Sequence, residues 1–171
     1  MQKEFTMKLY IILRMIIALL STDPGGSVLA TKHQDHLKNV AQAVFEVARD
    51  KQASESEVRM LIAIAMRESR FGIPYKAYFP ASRAGACGVW QVKPILFDRG
   101  TGTTHNESCE DMRDLYYNAS RGLEHIRYWL RQKRRICHYN GGWKCKLGAR
   151  QYERKVKWYM KQIRPEYLAQ R

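Results

Sequence analysis

The sequence predicts a mainly α single domain of packed helices with a loop-rich cleft. Three observations carry this. Apolar residues recur at helical spacing in several stretches. No apolar/polar alternation persists long enough to support a sheet. The 171 residues, 45% of them hydrophobic, suffice for one domain that buries its own core without a structural metal. No internal repeat or low-complexity tract is present, and neither a glycine-rich phosphate loop nor strand-helix alternation occurs. Nucleotide-binding and Rossmann-type readings therefore have no foundation.

The elements follow in chain order. Residues 9–20, LYIILRMIIALL, are apolar apart from Arg14, follow Lys3 and Lys8, and lead through Pro24-Gly25-Gly26 to Val28-Leu29-Ala30. This pattern reads as a secretory signal or N-terminal export segment over residues 1–30, with cleavage expected after Ala30. Twelve residues fall short of the roughly 20 needed to span a bilayer, so cleavage or release is favoured over the alternative, an uncleaved anchor, against whose depth Arg14 counts. The working domain is then residues 31–171. Leu37, Val40, Ala41, Val44, Val47 and Ala48 mark an amphipathic helix over 36–49.

Met60 to Phe71 is the stretch on which function turns. Seven apolar residues precede Arg67 and Glu68. Ser54 and Glu57 stand at capping-box spacing upstream, and Gly72 with Pro74 supplies a stop downstream. A helix apolar on all sides is packed on all sides, so a carboxyl in its last turn is desolvated and stays protonated nearer neutrality. That suits Glu68 to general acid catalysis. The plainer alternative pairs Glu68 with Arg67 or Arg70 on a solvated surface.

Residues 72–104 read as loop. Within them Ser82 to Pro94 offers Trp90 as an aromatic plate and Gln91 as an amide, suited to holding a sugar ring, or else Trp90 closes the core beside a turn. Leu115, Ala119, Leu123, Ile126 and Leu130 predict a scaffold helix over 112–133, with Gly122 permitting a close contact. Cys137 and Cys145 enclose a compact loop with turn chemistry at Asn140-Gly141. Tyr152, Val156, Tyr159 and Ile163 lie on one stripe of a last helix.

Export makes Cys87, Cys109, Cys137 and Cys145 disulfide candidates with three connectivities, of which Cys87 with Cys109 and Cys137 with Cys145 is favoured. Zinc is the rival because His138 adjoins Cys137, but no C-x-x-C pair supports it, so neither metal nor cofactor is expected. Thirty Lys and Arg against 16 Asp and Glu give a net charge of +14, and residues 120–171 hold 15 basic and 3 acidic residues, +12. Such a field draws polyanions. For an exported chain these are an anionic cell wall or membrane surface rather than nucleic acid.

Glu68-Ser69-Arg70-Phe71, Gly85-Ala86-Cys87-Gly88-Val89-Trp90-Gln91-Val92-Lys93-Pro94 and His138-Tyr139-Asn140-Gly141-Gly142 occur in that order. Together they resemble the soluble lytic transglycosylases of glycoside hydrolase family 23, whose fold is that of goose-type lysozyme. The family pattern reads E-S-x-F, G-A-x-G-L-M-Q-[IV]-x-P and [AS]-Y-N-x-G, from which the chain departs at Val89, Trp90 and His138. Asn118 to Gly122 resembles the family's N-[IA]-x-x-G helix and Tyr152 to Val156 its Y-x-x-K-V, so the resemblance covers about residues 55–160.

The resemblance implies a lysozyme-like domain, active as a monomer, that cleaves peptidoglycan in the periplasm or at the cell wall. It implies Glu68 as catalytic acid and base, Gln91 and Asn140 as sugar-binding residues, Tyr139 and Tyr152 as substrate-side lining of the cleft near the acid, and Ser69 as a substrate contact or a support that fixes Glu68; Trp90, where the family has Met, is a substrate-binding candidate on its own chemistry. Goose-type lysozymes, the hydrolytic alternative, carry acidic residues soon after the glutamine. Here Lys93 stands there, Asp98 lies beyond Pro94, and Glu107, Glu110, Asp111 and Asp114 read as solvated surface. A single-carboxylate, non-hydrolytic reaction is the expectation. Outside the enzyme class, a non-catalytic secreted cationic protein that binds a wall or nucleic acid is the rival.

Overall fold

The computed structural model describes residues 8–73, 79–98, 103–133, 135–142 and 144–163, and for 95–98 and 103–106 the backbone alone. The expected stop at Pro74 and the last eight residues of the basic end lie outside the described residues. The described chain is mainly helical: α1 (Leu9–Leu20), α2 (Gly26–Lys32), α3 (Gln34–Asp50), α4 (Glu55–Ser69), α5 (Leu115–Arg131), α6 (Cys137–Gly141) and α7 (Leu147–Gln162). A two-stranded antiparallel hairpin, β1 (Ile95–Asp98) and β2 (Thr103–Asn106), pairs Ile95 with Asn106 and Asp98 with Thr103. A 3-10 turn, Asp111–Arg113, leads into α5.

Helix α4 is the axis of the packing, in contact with α1, α3, α5 and α7. Its start is the expected capping box: the Glu57 amide donates to Ser54 Oγ (3.3 Å), and the Ser54 amide donates to Glu57 Oε2 (2.7 Å). Val58 and every residue from Leu61 to Met66 are buried, as an all-apolar run requires. The helix ends at Ser69 because Arg70 (φ 51°), Phe71 (φ 60°) and Gly72 (φ 83°) turn left-handed in succession. Left-handed caps commonly end helices, but the position that falls to glycine elsewhere is held here by arginine and phenylalanine.

In the full chain Ile11, Ile12, Met15, Ile16, Leu19 and Leu20 are buried at 3% exposure or less, with α1 packed on α3, α4 and α7. The expected cleavage point after Ala30 lies inside α2, with Ala30 itself buried. Residues 72–104, expected to be mostly loop, also hold β1 and the start of β2, strands of four residues being too short for alternation to register. One expectation needs correction: the segment enclosed by Cys137 and Cys145, read as a compact loop, opens with a helical turn, α6, that packs on α7. A Cβ at Gly141 would meet the Ala149 Cβ at 2.7 Å, so its glycine serves close packing as much as turning.

Candidate active site

Glu68 sits in the last turn of α4, partly exposed. Burial raises its carboxyl from 4.5 to about 7, against the opposing pull of the Tyr152 hydroxyl and the Arg67 guanidinium. The Arg67 guanidinium lies 5.7 Å from the centre of the Tyr152 ring, and the Tyr152 and Tyr139 rings stack at 6.5 Å. Both phenols are buried beside Glu68 and are pushed well above their ordinary range, first by burial and then by the carboxylate. The Tyr152 hydroxyl is close enough to act on Glu68, but it makes no hydrogen bond of ordinary geometry among the described residues. Tyr139 is different: its hydroxyl donates to the Trp90 carbonyl (2.8 Å) and so ties α6 to the loop before β1.

That loop is built on backbone exchange between Cys87 and Val92 (2.9 and 3.1 Å). Gly88 (φ 76°) leaves no room for a side chain, since a Cβ would meet the Asn118 amide at 2.4 Å. Asn118, fully buried on α5, accepts from the Trp90 amide (3.1 Å) and donates to the Cys87 carbonyl (3.3 Å). Gln91 (φ 48°) is half-buried, and its Nε2 donates to the carbonyls of Pro80 (2.9 Å) and Gly88 (3.0 Å). Only its carbonyl oxygen is left to face a ligand.

One candidate substrate residue, Trp90, is corrected to a supporting role, and Ser69 takes the second of its two expected roles, a support at the end of α4. Trp90 is 0% exposed, donates from Nε1 to the Leu61 carbonyl (3.0 Å) and packs on Gly122, where a Cβ would lie 3.0 Å from its Cγ. It closes the core and offers no plate to a sugar. Ser69 is buried, donates to the Val89 carbonyl (2.8 Å) and accepts from the Gly72 amide (2.9 Å). It fixes the end of α4 to the loop. Asn140 is exposed on α6 and lines, with Gly141, Lys144, Lys146, Gly148 and Ala149, an open depression of about 570 Å³.

Comparison with protein-family models, with characterised proteins and with solved structures finds no match. The geometry therefore carries the functional argument.

The side chain of Asp98, the nearest acid beyond Pro94, lies outside the described residues, whereas Glu107, Glu110, Asp111 and Asp114 are engaged elsewhere and Glu107 departs from the surface role expected of it. Glu107 is half-buried, accepting from the Tyr117 hydroxyl (2.5 Å) and paired with Arg121 (3.1 Å), which also pairs with Glu124. Glu110 pairs with Arg113, Asp111 caps the turn at Ser108, and Asp114 caps α5. Cysteines pair as Cys87–Cys109 and Cys137–Cys145, each with Cα atoms 5.7 Å apart. Cys137, His138 and Cys145 have ligand atoms within 4.8 Å of one another, but both sulfurs are committed to the disulfide.

Sequence reasoning missed two supports. His36 on α3 lies within hydrogen-bond distance of the Phe71 carbonyl through Nε2 (2.7 Å). His125 stacks on Tyr139 (4.5 Å between ring centres) and accepts from Trp129 Nε1 (2.7 Å); burial, then Arg121, lowers it to about 4. Neither stands in a motif, and a histidine on an otherwise apolar helix face reads as ordinary core.

Proposed function

We propose that the protein is a peptidoglycan lytic transglycosylase in which Glu68 acts as both acid and base. The observation that carries this is a carboxyl raised to about 7 by burial beside the buried Tyr152 hydroxyl that acts on it, while Glu107, Glu110, Asp111 and Asp114 are tied into pairs and caps. Protonated Glu68 donates to the glycosidic oxygen as the C1–O bond breaks, and the substrate's acetamido group steadies the cation at C1. The resulting Glu68 carboxylate then takes the proton of the same sugar's 6-hydroxyl as O6 bonds to C1. Bonds and protons balance with no water consumed, and Glu68 ends protonated. Proton transfer of this kind is worth roughly 10²- to 10⁴-fold. Holding the 6-hydroxyl against C1 adds the advantage of an intramolecular nucleophile.

The motif resemblance supports the same assignment, with Gln91 and Asn140 binding sugar and Tyr139 and Tyr152 walling the acid. The disulfides fit an exported protein that works at the wall. The test is digestion of purified peptidoglycan in heavy-oxygen water, followed by fragment masses. Unlabelled 1,6-anhydro ends, about 18 Da lighter than hydrolytic ends, are expected because no water enters. Labelled reducing ends as the main product would make the protein a hydrolase, and the absence of cleavage would leave a cationic wall-binding protein.

A further inference from the structure

The turn after Glu68 places three consecutive residues in left-handed backbone, two of them with side chains that disfavour it: Arg70 (φ 51°), Phe71 (φ 60°) and Gly72 (φ 83°). Such a turn keeps its shape only where its surroundings impose it. Four attachments do so here. Ser69 Oγ ties it to the Val89 carbonyl and the Gly72 amide, and the Phe71 side chain is fully buried. His36 Nε2, from α3, donates to the Phe71 carbonyl at 2.7 Å. Finally, Arg70 Nε lies 3.3 Å from Asp23 Oδ2, in the turn joining α1 to α2.

The Asp23 attachment comes from the N-terminal segment, and that segment is rigidly placed. The Asp23 amide donates to the Leu20 carbonyl (3.1 Å), the Gly26 amide donates to the Asp23 carbonyl (2.9 Å), and Thr22 Oγ1 donates to the Leu19 carbonyl (2.7 Å). A Cβ at Gly26 would come within 1.8 Å of the Leu20 carbonyl oxygen, so only glycine closes this turn. Arg70 has Nε and Nη2 buried without a hydrogen bond among the described residues, so Asp23 holds that guanidinium as an ion pair and not through a hydrogen bond.

We propose that Asp23 is a positioning residue for Glu68, acting through Arg70 on the left-handed turn, with His36 as its counterpart on α3. It follows that residues 9–23 belong to the working protein: removal after Ala30 would take away Asp23 together with the apolar cover that α1 lays on α4. The inference rests on the assignment of Glu68 as the acid.

The experiment compares the full chain with Asp23→Asn and Asp23→Glu. On peptidoglycan, Asp23→Asn is expected to lower kcat roughly 10- to 100-fold, the scale of a small misplacement of a reacting group, with KM unchanged; Asp23→Glu restores most of it. Independently of any substrate, the ¹³C-carboxyl resonance of Glu68, assigned by its loss in Glu68→Gln, is expected to move in Asp23→Asn and to return in Asp23→Glu. Mass analysis of the active exported protein is expected to find peptides from residues 9–23. Parental kcat and an unmoved Glu68 resonance in Asp23→Asn would overturn the proposal. So would a loss of kcat that follows unfolding and is not restored by glutamate, or a fully active chain that starts at residue 31. If the parent cuts no peptidoglycan, the functional reading fails, while the resonance still decides whether Asp23 positions Glu68.

Discussion

The surroundings of Glu68 suit it to the acid role proposed for it. A carboxyl raised from 4.5 to about 7 stays protonated through mildly acidic pH and can still release its proton near neutrality. The acid step should therefore fail as pH rises through about 7, giving an alkaline limb of kcat/KM near that value; a limb below 5 would contradict the assignment. Glu68→Gln should fold and lose activity. The group's folded pKa lies above its unfolded value, so its contribution to stability is complete below 4.5 and is lost as pH rises through about 7, by up to roughly 3 kcal/mol. Glu68→Gln should accordingly melt higher than the parent at pH 8, measured calorimetrically at both pH 5 and pH 8. Tyr152 has the opposite leverage on the carboxyl, because its hydroxyl holds the pKa down. Tyr152→Phe should move the alkaline limb of the rate profile to higher pH, and an unmoved limb would show that the hydroxyl does not reach Glu68.

At the scale of elements, α4 and the loop at 87–92 are joined at Ser69 and Trp90. The Ser54 cap and the Gly88 turn stabilise them separately. Ser54→Ala should cost about 1 kcal/mol, the usual worth of an N-cap, and lower Tm with little change in activity per folded molecule. Gly88→Ala is a harsher change. Its Cβ would strike the Asn118 amide at 2.4 Å and its φ of 76° is strained for alanine, so Asn118 must let go of Trp90 or Cys87. Overpacking of this kind costs about 1–3 kcal/mol. Activity should fall with it, because Gln91 and the Trp90 carbonyl that anchors Tyr139 both belong to that loop. Equal Tm values for Gly88→Ala and the parent would show that the loop does not depend on Asn118.

For the whole molecule, charge and cross-links act on different observables. The basic end, +12 over residues 120–171, should speed association with an anionic wall without taking part in chemistry. Screening over a Debye length of about 3 Å at 1 M salt, against about 8 Å at physiological strength, should then weaken adsorption to intact sacculi. Adsorption that is indifferent to salt would remove the electrostatic role. The two disulfides close loops of unequal length, with separations of 22 and 8 residues. Chain-entropy arguments give the longer the larger effect, about 3 kcal/mol against about 2.5 kcal/mol. Replacing Cys87 and Cys109 by alanine should lower Tm more than replacing Cys137 and Cys145, and the reverse order would show that strain or residual structure governs these links.

The residues by themselves determined whatever depends on local pattern. Apolar periodicity placed α3, α4, α5 and α7, and Ser54 with Glu57 marked where α4 begins. Seven apolar residues ahead of Arg67 and Glu68 announced a desolvated acid, and the favoured cysteine pairing is the one the fold adopts. Whatever depends on which surfaces meet could be decided only in three dimensions. Trp90 and Ser69 have the chemistry of ligand contacts, but packing on Gly122 and Val89 makes them supports. Glu107 has the sequence setting of a surface acid, but the fold brings Tyr117 and Arg121 to it. The apolar run at 9–20 is the sharpest case: composition alone fits an export segment and a core helix equally well. Burial against α3, α4 and α7 is a property of the assembled molecule, because the free energy of covering apolar surface depends on area removed from water and not on where in the chain that area lies.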